Sequence, residues 1–245
     1  MVQRKVWIDA GHGGKDPGAV GYGLQEKDIA LQVSLGIKAR LEAAYEDVQV
    51  LLSRSTDVFL ELRDRTAKAN AAGADLLVSI HCNAGGGKGG FETFRYMSAS
   101  QGSIKLQGAL HKAIMAKLDG IDRGMKAKNL HMLRESKMPA VLTENLFIDV
   151  LSDADRLKQA SVIDEIIDGH IQGIVAYLGL QSKFVKEDKL TDKVTVTVNG
   201  ERIKDGVLIK GETFVPLRAI GETIGADIKW DNKSKTATLY INDLG

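Results

Sequence analysis

Gly73-Ala74-Asp75-Leu76-Leu77-Val78-Ser79-Ile80-His81 decides the fold class. Residues 74–80 form an apolar run after a glycine, without the strict polar alternation of a half-exposed strand. That pattern belongs to a strand covered on both faces. Upstream, the alanine-rich stretch 60–72 carries Arg63, Asp64, Arg65 and Lys68 and reads as a helix with a solvated face. Further upstream, residues 48–52 are a short apolar strand. In residues 26–41, Ile29, Val33, Ile37 and Leu41 recur at four-residue steps, predicting an amphipathic helix. Residues 5–10 read as a buried strand ending in the turn Gly11-His12-Gly13-Gly14-Lys15-Asp16-Pro17-Gly18.

Downstream of His81 the glycine-rich loop 85–90 precedes a strand at 91–96. Leu106, Leu110, Ile114 and Leu118 mark a helix, 129–133 and 141–143 read as strands, and 162–177 is the last long helix. Strands alternating with helices predict an α/β fold, a mostly parallel or mixed sheet with helices on both faces. The texture changes near residue 181. A charged stretch, 181–192, reads as a linker between a domain at 1–180 and a small α+β domain at 193–245. In that tail, Val194-Thr195-Val196-Thr197-Val198 runs into Asn199-Gly200, a hairpin-turn signal. A short helix over 217–224 and a hairpin over 228–241 follow.

The chain has 245 residues, 44% hydrophobic and 27% charged, which excludes disorder and a coiled-coil rod. Basic residues number 33 and acidic residues 32, so no global field recruits nucleic acid. One cysteine, Cys82, excludes an internal disulfide framework. No apolar run approaches the roughly 18 residues that would insert into a membrane. Nothing in the sequence points to a partner protein. The first residues run directly into the strand at 5–10, with no apolar signal segment.

Four side chains carry the chemistry: His12, Glu26, His81 and Glu144, each placed at or just beyond a strand end. Ligands of an open α/β sheet bind outside the carboxyl ends of its strands. A single histidine there is more often a loop cap. His, His and Glu converging from several strand ends is the donor set a catalytic zinc takes, with one position left for water. Gly13-Gly14-Lys15 and Gly87-Lys88 suggest a phosphate cradle, but no Ser or Thr follows either lysine. His111 and His170 sit within helices and read as surface or packed residues. His131 is equally compatible with a structural and a substrate-facing role. Cys82 follows His81 on a strand and points to the opposite face as a small buried residue.

Trp7-Ile8-Asp9-Ala10-Gly11-His12-Gly13-Gly14, Glu26-Lys27-Asp28, Ser79-Ile80-His81-Cys82-Asn83-Ala84 and Leu142-Thr143-Glu144 together resemble the zinc-dependent N-acetylmuramoyl-L-alanine amidases of type 3. Ser53-Arg54-Ser55-Thr56-Asp57, Arg65-Thr66-Ala67-Lys68-Ala69-Asn70 and Met132-Leu133-Arg134 extend the resemblance over residues 3–180. It implies one zinc per chain held by His12, Glu26 and His81, Glu144 as the catalytic carboxylate, and a sheet of about six strands. The residues alone leave Glu144 open to a role as fourth ligand or strand-end ion pair. Arg54, Arg65 and Asn70 read as structural, pairing with Asp57 or fixing helix ends. The tail resembles the copper amine oxidase N-terminal-like domain through Val198-Asn199-Gly200, Phe214-Val215-Pro216-Leu217-Arg218 and Trp230-Asp231. No His, Cys or Met lies between Gln181 and Gly245, so copper is not expected there.

The resemblance implies a peptidoglycan hydrolase that cuts between N-acetylmuramic acid and L-alanine, with the tail as a wall-binding module. Alternatives are a zinc endopeptidase of the stem peptide and a non-catalytic wall-binding protein. The chain is expected to act on the bacterial cell wall as a phage endolysin, a mother-cell lysin or the mature form of a secreted enzyme.

Overall fold

The computed structural model describes residues 3–183, 194–203, 206–209, 212–231, 234 and 236–241. Two compact units divide the chain, Met1–Phe184 and Val185–Gly245. The first unit opens with β1 (Arg4–Ala10), a two-rung hairpin of β2 (Val20–Gly21) and β3 (Leu24–Gln25), and helix α1 (Glu26–Ala44). Next come β4 (Val48–Leu52), α2 (Leu62–Ala71), β5 (Leu76–Asn83), β6 (Phe91–Arg95), α3 (Gln101–Met115) and β7 (Asp122–Ala127). It closes with α4 (His131–Arg134), β8 (Ala140–Phe147), α5 (Leu151–Leu157) and α6 (Ala160–Leu178).

Six strands form one mixed sheet in the order β4-β1-β5-β8-β6-β7. All neighbours run parallel except β6, which is antiparallel to β8. The glycine loop explains the reversal. A parallel connection needs a crossover of about a dozen residues or more, and the chain between Asn83 and Phe91 is too short for one. Along β1, Val6 and Ile8 face the helices α1, α3 and α6. Trp7 faces the opposite layer, with Ala69 of α2 and Met132 and Leu133 of α4. Both faces of the central strands are therefore covered, which is why residues 74–80 lack alternation.

The structure corrects several boundaries. β5 runs on through His81 to Asn83, and β8 through Glu144 to Phe147. Both residues lie within strands because the β5–β8 pairing continues past them, with His81 directly opposite Glu144. Residues 129–133 are not a strand; His131 begins the single-turn helix α4, whose Met132 and Leu133 plug the core. β7, α5 and the β2–β3 hairpin were not foreseen. β7 is a half-exposed edge strand of mixed polarity, so it lacks the apolar signal of its neighbours.

Residues 181–183 do not behave as linker. Ser182 bridges Tyr45, and the Lys183 N–H donates to Ala44 O at 2.8 Å. Residues 184–192, the remainder of the expected linker, lie outside the described residues. In the second unit, β9 (Val196–Val198) and β10 (Glu201–Ile203) form a hairpin whose turn residues Asn199 and Gly200 both have positive φ. β11 (Val207–Ile209) pairs with β12 (Glu212–Phe214). Helix α7 (Leu217–Thr223) lies against the hairpin β13 (Asp227–Asp231) and β14 (Thr236–Tyr240). A Cβ at Gly221 would fall 2.5 Å from Ile228 Cδ1, so this glycine sets that approach.

Candidate metal centre and catalytic cleft

His12 follows β1 by two residues in a left-handed conformation, φ 58°. Gly11 before it lets the chain pass over the neighbouring strand: a Cβ there would lie 2.6 Å from His81 Nε2. Glu26 is the first residue of α1, directly after β3, and His81 lies near the end of β5. Chain geometry brings the three together. His12 Nε2 is 3.1 Å from Glu26 Oε2, and His81 Nδ1 is 2.7 Å from Glu26 Oε1. The two imidazoles meet edge to face, with ring centroids 4.9 Å apart. One donor atom from each residue lies within 4.8 Å of the others, the grouping needed to hold a metal ion.

The three side chains are held from behind. His12 Nδ1 contacts Asp16 Oδ2 at 2.8 Å. Glu26 accepts the Ala19 N–H at 2.8 Å and the Cys82 N–H at 3.1 Å. The His81 carbonyl accepts from Asn145 Nδ2 at 3.0 Å. Burial opposes ionisation of Glu26, but hydrogen bonds from both histidines hold its carboxyl far below the usual range. Burial also disfavours a charged His81, yet Glu26, with help from Glu144 and Asp9, raises it to about 9. Glu26 thus draws protons onto the imidazoles on either side of it, the place that a divalent cation would take.

Glu144 stands beside this cluster. Its Oε2 is buried without a hydrogen-bond partner. Burial pushes its pKa up to about 7; His81 opposes this, while Glu26 and Glu92 add to it. Glu92 was missed in the sequence. It lies directly opposite Glu144 on β6, buried, and pairs with Arg123 at 3.0 Å and with Lys126. Burial opposes its ionisation, and these two cations outweigh it, holding Glu92 below the usual carboxylate range. The available signal was a lone carboxylate inside the apolar run Phe91-Glu92-Thr93-Phe94.

His12, Glu26, His81, Glu92 and Glu144 share a cavity of about 380 Å³, which Phe94 and Lys128 also line. A second cavity, about 330 Å³, opens on the other side of His12 and His81 towards Phe59 and Leu62. The remaining histidines do not join. His131 contacts Thr66 Oγ1, His111 bridges Thr93 and Asp122, and His170 is fully buried between Thr143 and the Ile166 carbonyl. Cys82 is buried in the core on the other side of β5, where burial raises its thiol pKa.

Asp57 does not pair with the arginines. It accepts from Lys27 Nζ at 2.7 Å and from the Gly14 N–H. Arg65 instead pairs with buried Asp9, and Arg54 bonds main-chain carbonyls. Asn70 ties α2 to the residues after α4, through the Glu135 carbonyl and the Lys137 N–H.

A family described as N-acetylmuramoyl-L-alanine amidase matches residues 6–176. The chain belongs to this family. It is accordingly a hydrolase. The tail, residues 197–243, matches the copper amine oxidase N-terminal domain. Among similar proteins, the endolysin of Bacillus phage SPP1 is 48% identical over 217 residues, covering 84% of this chain and 80% of that protein. The sporulation-specific N-acetylmuramoyl-L-alanine amidase of Bacillus subtilis (strain 168) is 48% identical over 170 residues, 69% of this chain and 66% of that protein. An N-acetylmuramoyl-L-alanine amidase structure from Clostridium difficile 630 superposes with TM-score 0.71 at 35% identity, covering 73% of this chain and 98% of that one. The family's six-stranded mixed sheet is thus the scaffold on which these carboxylates and imidazoles meet.

Proposed function

We propose that His12, Glu26 and His81 hold one zinc ion and that Glu144 moves the protons in a peptidoglycan hydrolase. The bond cleaved is the amide between the lactyl group of N-acetylmuramic acid and L-alanine. The observation carrying this reading is the convergence of two imidazoles and one ionised carboxylate beside a buried, unpartnered Glu144 oxygen in one cavity. The donor set fits. Two nitrogens and one carboxylate oxygen are a ligand set of zinc hydrolases, and the orphaned Glu144 oxygen marks a polar position needing a partner.

When bound, zinc supplies a Lewis acid that polarises the scissile carbonyl and acidifies water. Glu144 takes the proton of the attacking water and delivers it to the departing alanine nitrogen. A carboxyl whose burial lifts it to about 7 serves in both directions near neutral pH. Asp16 fixes the His12 ring, and Asn145 fixes the strand carrying His81. Glu92, neutralised by Arg123 and Lys126, keeps the neighbouring strand position polar without adding a free charge. The tail is assigned as the wall-attachment module.

Exhaustive chelation is expected to abolish lysis of purified cell walls while leaving the circular dichroism spectrum intact, because the core does not depend on the metal. Zinc restores lysis. Mass spectrometry of the digest should show glycan strands whose muramic acid lactyl carboxyls are free, and stem peptides with an N-terminal alanine. Cuts within the stem peptide would assign an endopeptidase instead. Lytic activity in protein shown to be metal-free by elemental analysis would overturn the zinc assignment.

A further inference from the structure

Two buried arginines lie beneath the His12 loop, and they do different work. Arg65 has its charge matched: Nη1 donates to Asp9 Oδ1 at 2.9 Å and to Ala10 O, while Nη2 donates to the His12 carbonyl. Arg54 is 3% exposed, and its hydrogen bonds among the described residues all end on main-chain carbonyls. Burying a guanidinium without a carboxylate in contact is unfavourable. A fold that does so uses the fixed fork of donors for geometry.

The acceptors say which geometry. Arg54 Nε donates to Ala10 O at 3.1 Å, and Nη1 to Thr56 O at 3.2 Å. One nitrogen, Nη2, donates to Gly11 O at 2.8 Å and to Lys27 O at 2.7 Å. Gly11 immediately precedes His12, and Lys27 immediately follows Glu26. A single nitrogen therefore joins the two segments that present neighbouring ligands. The loop is pressed onto this side chain, since a Cβ at Gly13 would lie 2.9 Å from Arg54 Nε. Lys27 Nζ makes a further link, to Gly14 O at 3.0 Å, but that contact falls two residues beyond His12. Arg65 bonds the end of β1, the His12 carbonyl and the Leu60 carbonyl, and makes no described bond to α1. The left-handed His12 has no regular secondary structure to fix it, so these carbonyl bonds set where its backbone lies relative to α1, while Asp16 orients its ring.

We propose that Arg54 is a positioning residue: by joining the Gly11 and Lys27 carbonyls, it sets the separation of His12 and Glu26 and thereby the affinity for zinc. The inference rests on the zinc reading above. Residues that orient metal ligands typically change affinity by about 10–100-fold when replaced.

The test uses the full chain and the zinc dissociation constant, measured by competition with a chelating dye. Arg54→Lys keeps the charge but replaces the planar fork with a single nitrogen. Arg54→Gln removes the buried charge, which favours folding, and is too short to span both carbonyls. Each is expected to weaken zinc binding by about 10–100-fold. Each should also alter the visible spectrum of the cobalt-substituted protein and regain kcat as zinc is raised. Arg40→Lys is the comparison: Arg40 lies on the outer face of α1 and pairs with Asp164 and Asp168, so it should change only thermal stability. A folded Arg54 variant with the parental dissociation constant and cobalt spectrum overturns the inference. So does failure of both variants to fold, which would make Arg54 a folding residue. A parental chain that binds no zinc removes the zinc reading itself, and this inference with it.

Discussion

Glu144 is half-buried, and its fully buried Oε2 is unpartnered, a condition that disfavours the folded state. That strain has a use if the carboxylate must exchange protons rather than hold an ion pair. Glu144→Gln keeps the volume and removes the exchangeable proton. Hydrolysis of a muramoyl-peptide is expected to fall by about 10²–10⁴-fold. Zinc should stay near one per chain by elemental analysis, and the melting temperature should not fall. An inactive, zinc-free variant would make Glu144 a ligand. His170 gives the opposite case, a titratable residue with no part in the site. Burial lowers its pKa to about 4 from 6.5, with the Ile166 carbonyl opposing. The unfolded chain therefore takes up the proton first as pH falls, so stability drops between about pH 6.5 and 4 and is complete above that window. The drop attributable to this group is on the order of 3 kcal/mol. Denaturant titrations of chelated protein at pH 7 and pH 4.5 should show a smaller difference for His170→Gln than for the parent. An equal difference in both proteins would discard the assignment.

The same helix carries an element-scale consequence. α6 contains Gly169-His170-Ile171-Gln172-Gly173, and its glycines face α3. A Cβ at Gly169 would lie 2.7 Å from Ile114 Cα, and one at Gly173 2.7 Å from Leu110 Cα. Alanine is worth about 1 kcal/mol over glycine inside a helix. Here the added methyl meets backbone, which cannot swing aside, and overpacking of this sort costs about 1–3 kcal/mol. Gly173→Ala is expected to lower the melting temperature and leave zinc affinity unchanged. A stabilised variant would show that the two helices separate easily. Legibility in the sequence follows the same physics of contact. Helix α1 and strands β1 and β5 are readable because burial on one stripe, or on both faces, leaves a periodic trace. β7 carries charges that neutralise Glu92 from an exposed edge, so its residues look like loop. α4 is a single turn, and its apolar residues fit a strand pattern equally well. The candidates His12, Glu26, His81 and Glu144 stand out in the sequence at or near strand ends, and the division into proposed ligands and proposed catalytic carboxylate comes from the family resemblance. Glu92 was not, because its part depends on lying opposite Glu144, and that register comes only from the antiparallel β6–β8 pairing.

At the scale of the whole molecule, the buried hydrophobic residues of the described chain belong to the first unit, with Ile203 the exception. The proposed ligands and Glu144 also lie there, and no helix among the described residues is long and apolar enough to cross a membrane. The first unit can therefore be separated, provided the cut respects its edge. Residues 181–183 hydrogen-bond to the end of α1 and the chain after it: the Glu46 N–H donates to Gln181 O at 3.1 Å, and the Lys183 N–H donates to Ala44 O. Truncation must follow Lys183; removing Ser182 and Lys183 would strip the end of α1 of its partners. A chain ending at Lys183 is expected to fold, bind zinc with the parental affinity and cleave a soluble muramoyl-peptide at the parental rate. On insoluble walls it should be slower, because a tethered second site raises the effective concentration at the surface. Charge does not provide that attachment, since basic and acidic residues in the tail are nearly equal, 11 and 10 between Gln181 and Gly245. Exposed aromatic side chains there offer the alternative: Trp230 is 60% exposed and Tyr240 49%. Residues 184–245 alone should sediment with purified walls in moderate salt, and Trp230→Ala should release them. If the shortened chain lyses walls at the parental rate and the tail remains in the supernatant, wall attachment is the wrong role for the second unit.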